Sequence, residues 1–205
     1  MFAHGAGAPS THPWMEGWAA RLATLGEVVR FNYPYMAQGR RAPDRRPQLI
    51  EAHRAALEAA VAAHGELGGR LRPVVLVGKS MGSRVGCHLS LEEHVSALIC
   101  FGYPLQAPAK QGVTPKLRDA VLKQLTTPVL FVQGTRDPLC PLSTLAKIRA
   151  EMRAPSQLHV VESGDHSLLC TKTQLKAWGK TQQAVDAEVL GVIRGFLAQQ
   201  VGAGS

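Results

Sequence analysis

The stretch that decides the fold runs from Val74 to Arg84 and reads VVLVGKSMGSR. Its first four residues, Val74 to Val77, are apolar and mostly β-branched, which favours a buried strand. They lead straight into Gly78-Lys79-Ser80-Met81-Gly82, a G-x-S-x-G pattern followed by a segment able to continue as a helix. A strand that becomes a helix within so few residues leaves no room for side chains beside the turn, so Gly78 and Gly82 are needed for space. Ser80 at the apex is expected in a strained conformation, its hydroxyl pushed out at the top of a sheet. The short motif recurs by chance; the strand before it and the helix after it give it weight.

Working outward, strand-like and helix-like segments alternate, the mark of a mostly parallel α/β sheet with helices on both faces. Met1 to Ala3 reads as the end of a strand, and Trp14, Trp18, Leu22 and Leu25 recur at helical spacing. Glu27 to Asn32 reads as a strand. A helix is expected over Gln48 to His64 with Ile50, Leu57 and Val61 on one face. Pro73 to Val77 is the strand feeding the turn and Ser80 to Leu91 the helix leaving it. Val95 to Phe101, Pro128 to Val132 and Leu158 to Val161 read as further strands, and Ser143 to Met152 as a helix. Val185, Val189, Val192, Ile193, Phe196 and Leu197 define an amphipathic last helix. No internal repeat or linker appears. The expectation is one domain over residues 1–201, a sheet of about six strands and no cap domain, with 202–205 a disordered tail.

With 205 residues, 45% of them apolar, the chain can bury a sizeable core. The N-terminal MFAHGAGAPS has neither a basic region nor a long apolar run, so no signal peptide is read there, and no apolar run reaches membrane-spanning length. The four cysteines, Cys87, Cys100, Cys140 and Cys170, are widely spaced without C-x-x-C, which fits reduced thiols and a cytoplasmic location better than a disulfide frame or a zinc site. The net charge of +8 raises the question of nucleic acid, but the basic residues are scattered and no nucleic-acid motif is present. The one dense cluster, Arg40, Arg41, Arg45 and Arg46, lies in a Gly- and Pro-containing stretch. It reads as a solvated loop first, and as a contact for an anionic part of a substrate or an acidic partner second.

A serine hydroxyl is a poor nucleophile at neutral pH and needs a base, which in turn needs an orienting acid. Asp137 follows the strand Pro128 to Val132, and His166 follows the strand Leu158 to Val161. Both therefore fall at carboxyl ends of strands, where an open parallel sheet builds its sites. Ser80, Asp137 and His166 are the expected nucleophile, acid and base. Asp165 adjoins His166, but neighbouring side chains point apart, so Asp165 is assigned to shaping the loop. Cys140 lacks a histidine to serve it and is read as a packing residue. The oxyanion needs two fixed backbone donors. The Met81 N–H is one; the Ala6 N–H, in His4-Gly5-Ala6-Gly7, is the other, with His4 bracing the loop. Gly5, Gly7, Tyr103 and Leu139 complete the expected substrate-binding set. No cofactor and no metal are called for.

HGAG, GKSMGSR, FGYPLQAP, FVQGTRDPLC and the GDHSL loop together resemble the α/β-hydrolase superfamily. More narrowly they look like its small testis-expressed-protein-thirty-like branch, which has bacterial members. The similarity runs from Phe2 to about Phe196, and GKSMGSR and RDPLC are its specific part. The resemblance implies a triad at Ser80, Asp137 and His166. One departure stands out: the superfamily usually has strands ahead of the His-Gly loop. Either the sheet is trimmed to about six strands, or residues precede Met1.

Lids in this fold commonly follow the strand after the elbow helix. Here that segment, Tyr103 to about Pro115, is short and proline-rich, so an open site for small or short-acyl substrates is expected. The leading reading is a serine hydrolase acting on esters or thioesters, with a small-molecule acyl substrate and neither nucleic acid nor membrane as partner. The alternative is an interaction protein built on the same scaffold, because fold does not fix function.

Overall fold

The computed structural model describes residues 1–67, 70–107 and 115–201. The central sheet contains β1 (Phe2–Ala3) and β2 (Arg30–Phe31), separated by α1 (Pro13–Leu22). A single turn α2 (Pro34–Ala37), the long α3 (Arg46–His64) and a small antiparallel pair, β3 (Glu66–Leu67) with β4 (Arg70–Leu71), precede β5 (Val75–Lys79). Then follow α4 (Met81–Leu89), β6 (Ala97–Phe101), a 3-10 turn at Leu122–Gln124, β7 (Val129–Gly134), α5 (Leu142–Glu151), β8 (Ser156–Val161), α6 (Lys172–Trp178) and α7 (Gln182–Val201). The sheet order is β2-β1-β5-β6-β7-β8, with every pairing parallel. This is the six-stranded parallel sheet the sequence leads one to expect, and no cap stands over it among the described residues.

Parallel strands covered on both faces read as continuous apolar runs, and ALICF in β6 is buried along its whole length. Successive side chains still go to opposite sides. Leu98, Cys100, Val129 and Phe131 pack with Leu57 of α3, Cys87 and Leu89 of α4, and Leu145 and Ile148 of α5. Their neighbours Ile99, Phe101, Leu130 and Val132 pack with Met15 and Trp18 of α1 and Val185, Val189, Ile193 and Phe196 of α7. The chain leaves β1 toward β2 on one side and β5 lies on the other, so the order in which strands are added reverses between β1 and β5 while all of them stay parallel. The crevice at such a reversal opens beyond the carboxyl ends of the strands, which here are the His4–Gly7 loop and Ser80.

Several expectations need adjustment. The strand expected over Glu27 to Asn32 is paired only at Arg30 and Phe31. The buried face of α3 is Leu49, His53 and Leu57, at i, i+4 and i+8. Val61, expected on that face, is 41% exposed and lines an open surface groove instead of the core. Arg46 already belongs to α3, and Arg40 is paired with Asp44 at 2.7 Å, so the basic stretch is not one continuous loop. The short α2 and α6 and the β3–β4 pair are not expected from the sequence pattern. α6 has no buried residue and thus no apolar stripe; its only sequence signals are Thr171 capping its start and Gly179, in the left-handed conformation, closing it. The expected tail, 202–205, and part of the expected lid segment, 108–114, lie outside the described residues.

Candidate active site

The turn after β5 is tight because two glycines allow it. A Cβ on Gly78 would lie 2.2 Å from the Ser83 amide nitrogen, and one on Gly82 would lie 2.5 Å from the Ala3 carbonyl oxygen. Both obstacles are backbone, so neither can give way. Ser80 takes φ 52° and ψ −113°, a conformation that L residues rarely adopt. Its amide donates to the Phe101 carbonyl at 2.8 Å, which locks the turn to β6.

His166 reaches the serine from the loop after β8. Its Nε2 lies 2.9 Å from Ser80 Oγ, and its Nδ1 lies 2.7 Å from Asp137 Oδ2. With Nδ1 donating to the carboxylate, Nε2 is left free to accept the serine proton. Asp137 is only 4% exposed. Besides His166, its carboxylate accepts from the Leu139 amide at 2.9 Å and from the Gln133 side-chain amide. Gln133 is fully buried and is itself fixed by accepting from the Tyr103 amide at 3.0 Å. Asp165 turns away from the ring: its Oδ1 accepts from the amides of Ser167 at 2.7 Å and Leu169 at 3.0 Å, which shapes the loop.

The His4–Gly7 loop runs beside the serine; a Cβ on Gly5 would sit 3.4 Å from that of Ser80. His4 is buried, donates from Nδ1 to the Gly5 carbonyl at 2.6 Å and accepts at Nε2 from the Tyr33 amide at 3.1 Å. Burial lowers its pKa, which suits a neutral brace. The Tyr35 hydroxyl donates to the Ala6 carbonyl at 3.0 Å, so the loop that carries the Ala6 N–H is held from behind. Met81, the other expected donor, is the first residue of α4, where backbone N–H groups have no partner within the helix.

The matched family is the alpha/beta hydrolase domain, over residues 1–197. The chain belongs to the alpha/beta hydrolase family. Solved structures similar to this chain include an alpha-beta serine hydrolase homologue from Coxiella burnetii, 17% identical, covering 97% of this chain and 82% of that one with a TM-score of 0.65. Another is Est1E from Butyrivibrio proteoclasticus with ferulic acid bound, 15% identical, covering 98% and 88%, with a TM-score of 0.67. A third is XC6422 from Xanthomonas campestris, described as a serine hydrolase without lid, 19% identical, covering 98% and 81%, with a TM-score of 0.61. At these identities the likeness is one of fold. The uncharacterized protein YqkD of Bacillus subtilis is 31% identical over 55 residues, which are 27% of this chain and 18% of that protein.

A cleft of about 370 Å³ opens over Ser80 and His166. Gly5, Ala6 and Gly7 line it, joined by Trp14, Met15, Lys79 and Ser167. Tyr103 does not reach it. That ring is fully buried edge-on to Phe131, and its hydroxyl donates to the Arg118 carbonyl at 2.9 Å, so it is a core residue. Leu139 does not line the cleft either; its backbone amide serves Asp137 instead. Sequence reasoning does not single out Gln133, Tyr35, Trp14 or Lys79 for the site. The first two lie in apolar or loop stretches where only the fold reveals their partners. A larger groove of about 800 Å³, walled by Leu22, Leu25, Val61, Val74 and Leu197, lies at the amino edge of the sheet, remote from the serine. Among the described residues no helix is long and apolar enough to cross a membrane.

Proposed function

We propose that this alpha/beta hydrolase is a serine hydrolase of small or short-acyl esters or thioesters, working through an acyl-enzyme. The observation that carries the reading is the unbroken relay from Asp137 through His166 to a strained, cleft-facing Ser80, with contacts of 2.7 and 2.9 Å. Ser80 Oγ attacks the acyl carbonyl while His166 Nε2 takes its proton. The negative charge that develops on the carbonyl oxygen faces the Met81 and Ala6 N–H groups. His166 returns the proton to the departing alkoxide or thiolate, leaving the acyl group on Ser80. Water, deprotonated by the same Nε2, then attacks the acyl-enzyme, and the serine leaves with the proton as the acid is released. Asp137 keeps the imidazole in the tautomer this cycle needs.

Within the family, GKSMGSR and RDPLC favour the small testis-expressed-protein-thirty-like branch. The ferulic acid held by the similarly folded Est1E makes small aromatic acyl groups part of the substrate range to test. The test is labelling by a fluorophosphonate together with hydrolysis of p-nitrophenyl acetate and butyrate and of methyl ferulate. Labelling of wild type but not of Ser80→Ala, with turnover falling roughly 10⁴-fold or more in the variant, is the expected outcome. A Ser80→Ala protein that still turns over these esters at the wild-type rate would remove the reading.

A further inference from the structure

Lys79 stands between Gly78 and the nucleophile, yet acyl transfer through Ser80, His166 and Asp137 makes no use of it. It is the last residue of β5 and only 8% exposed. Burying an ammonium at that depth is costly, and an apolar residue would fill the same space. The cost is visible in its titration: burial pushes Lys79 down to about 8, against a partial opposing pull from Asp137 and Asp165. Its ammonium sits 5.4 Å above the Trp14 ring of α1 and donates to the main-chain carbonyl of His166. The Trp14 ring and the His166 backbone touch it, the His166 imidazole shares the junction at Gly102, and the carboxylates of Asp137 and Asp165 act on its charge from farther off.

This arrangement closes a ring. His166 is gripped twice by consecutive residues of the elbow, through its Nε2 by Ser80 at 2.9 Å and through its carbonyl by Lys79. Asp137 fixes the tautomer and tilt of the imidazole; the grip by Lys79 fixes where the loop that carries it stands relative to the serine. The loop also rests on α1, since Trp14 Nε1 donates to the Ser167 carbonyl at 2.8 Å. Gly102, with φ 57°, leaves the space for this junction, because a Cβ there would lie 2.7 Å from the His166 carbonyl oxygen and 3.2 Å from Lys79 Nζ.

We propose that Lys79 is a positioning residue for the base: its cation ties the His166 backbone to the nucleophile elbow and sets the distance over which the serine proton is transferred. The inference rests on the serine-hydrolase reading for its kinetic consequences but not for its structural ones. A charged donor makes a bond about twice as strong as a neutral one, so the tie weakens when Lys79 loses its proton, and turnover declines as pH rises through about 8.

The experiment compares wild type, Lys79→Met and Lys79→Arg. Methionine keeps the cover over Trp14 and removes the charge; arginine keeps a charge that no accessible pH removes. Expected for Lys79→Met is a kcat lower by about 10- to 100-fold with KM nearly unchanged and a melting temperature at pH 7 no lower than wild type, since a buried charge has gone. Lys79→Arg is expected to recover much of kcat and to lose the alkaline decline. A Lys79→Met enzyme with wild-type kcat and the same alkaline limb overturns the proposal, as does a loss of kcat that merely tracks a loss of fold. A wild type that neither labels nor hydrolyses sinks the hydrolase reading alone, and hydrogen exchange then decides the positioning role. Faster exchange of the Ser167, Leu168 and Leu169 amides in Lys79→Met supports it; unchanged exchange refutes it. If Lys79→Met does not fold, the same amides are followed in wild type at pH 7 and 9.5, corrected for intrinsic rate. Faster corrected exchange at pH 9.5 then supports the tie, and equal exchange refutes it.

Discussion

Asp137 holds Nδ1 of His166 at 2.7 Å across 29 residues of sequence. The carboxylate is buried and receives two further donors, from Leu139 and Gln133, which hold it correctly turned toward the ring. Asp137→Asn would present an amide where an acceptor is needed and favour the wrong imidazole tautomer, so kcat is expected to drop about 10⁴-fold. Asp165→Asn keeps an acceptor for the Ser167 and Leu169 amides and is expected to lose far less. Steady-state kinetics of the two variants decide the matter, and a larger loss at position 165 would reverse the assignment.

Gly134, at the end of β7, sets how closely the Asp137 and His166 loops approach. A Cβ there would lie 2.2 Å from the Gly164 carbonyl oxygen and 2.5 Å from that of Asp165, both backbone atoms. Gly134→Ala must therefore push the His166 loop outward. We expect a destabilisation of about 3 kcal/mol and a fall in kcat larger than that loss of folded protein explains. Urea unfolding alongside kinetics at a temperature where the variant is fully folded checks both parts. Wild-type stability with wild-type kcat would show that the loop has slack the packing does not suggest.

What is legible in the sequence and what is not divide along a physical line. Strands β5, β6 and β7 announce themselves because a parallel strand buried on both faces must be apolar at nearly every position. Ser80 and Asp137 stand out because each follows such a strand, whereas His166 follows the half-buried edge strand β8 and is read from its short apolar run Leu158 to Val161. The supporting residues are not. Gln133 looks like an ordinary end to a strand until its buried amide is seen on Asp137. Tyr103 is expected at the site because it follows β6, yet the backbone turns at Gly102, with φ 57°, and the ring packs inside on Phe131. Side-chain direction after a sharp turn depends on one dihedral angle, which periodicity does not carry.

Acyl-chain preference follows from the cleft. At about 370 Å³, with Gly5, Ala6, Gly7 and Trp14 among its walls, it accommodates a few carbons or one small ring. Each methylene that enters adds about 0.8 kcal/mol of binding and each that stays in water adds almost none. The ratio kcat/KM should thus rise from acetate to butyrate esters and then level off or fall by octanoate. A maximum at palmitate, or activation at micelles, would reveal an apolar tunnel or cover that the described residues do not form.

His53 makes the fold sensitive to acid independently of catalysis. It is fully buried on α3, beside the rings of Phe31 and Tyr33, with Nδ1 3.2 Å from the Tyr33 hydroxyl and no partner for Nε2 among the described residues. Burial pushes its pKa down to about 3, from 6.5 in the unfolded chain. Between these values the unfolded state binds a proton that the folded state refuses, so stability is full above about 6.5 and is lost progressively as pH falls toward 3. His88, lowered to about 4 chiefly by burial, acts in the same direction. His53→Phe keeps an aromatic ring in place and removes the titration. At pH 7 it should cost about 1 kcal/mol for the Tyr33 hydroxyl left without its partner, yet between about pH 6 and 4 it should lose stability less steeply than wild type. Urea unfolding midpoints measured across that range give both slopes, and parallel slopes would mean that His53 takes up its proton without opening the fold.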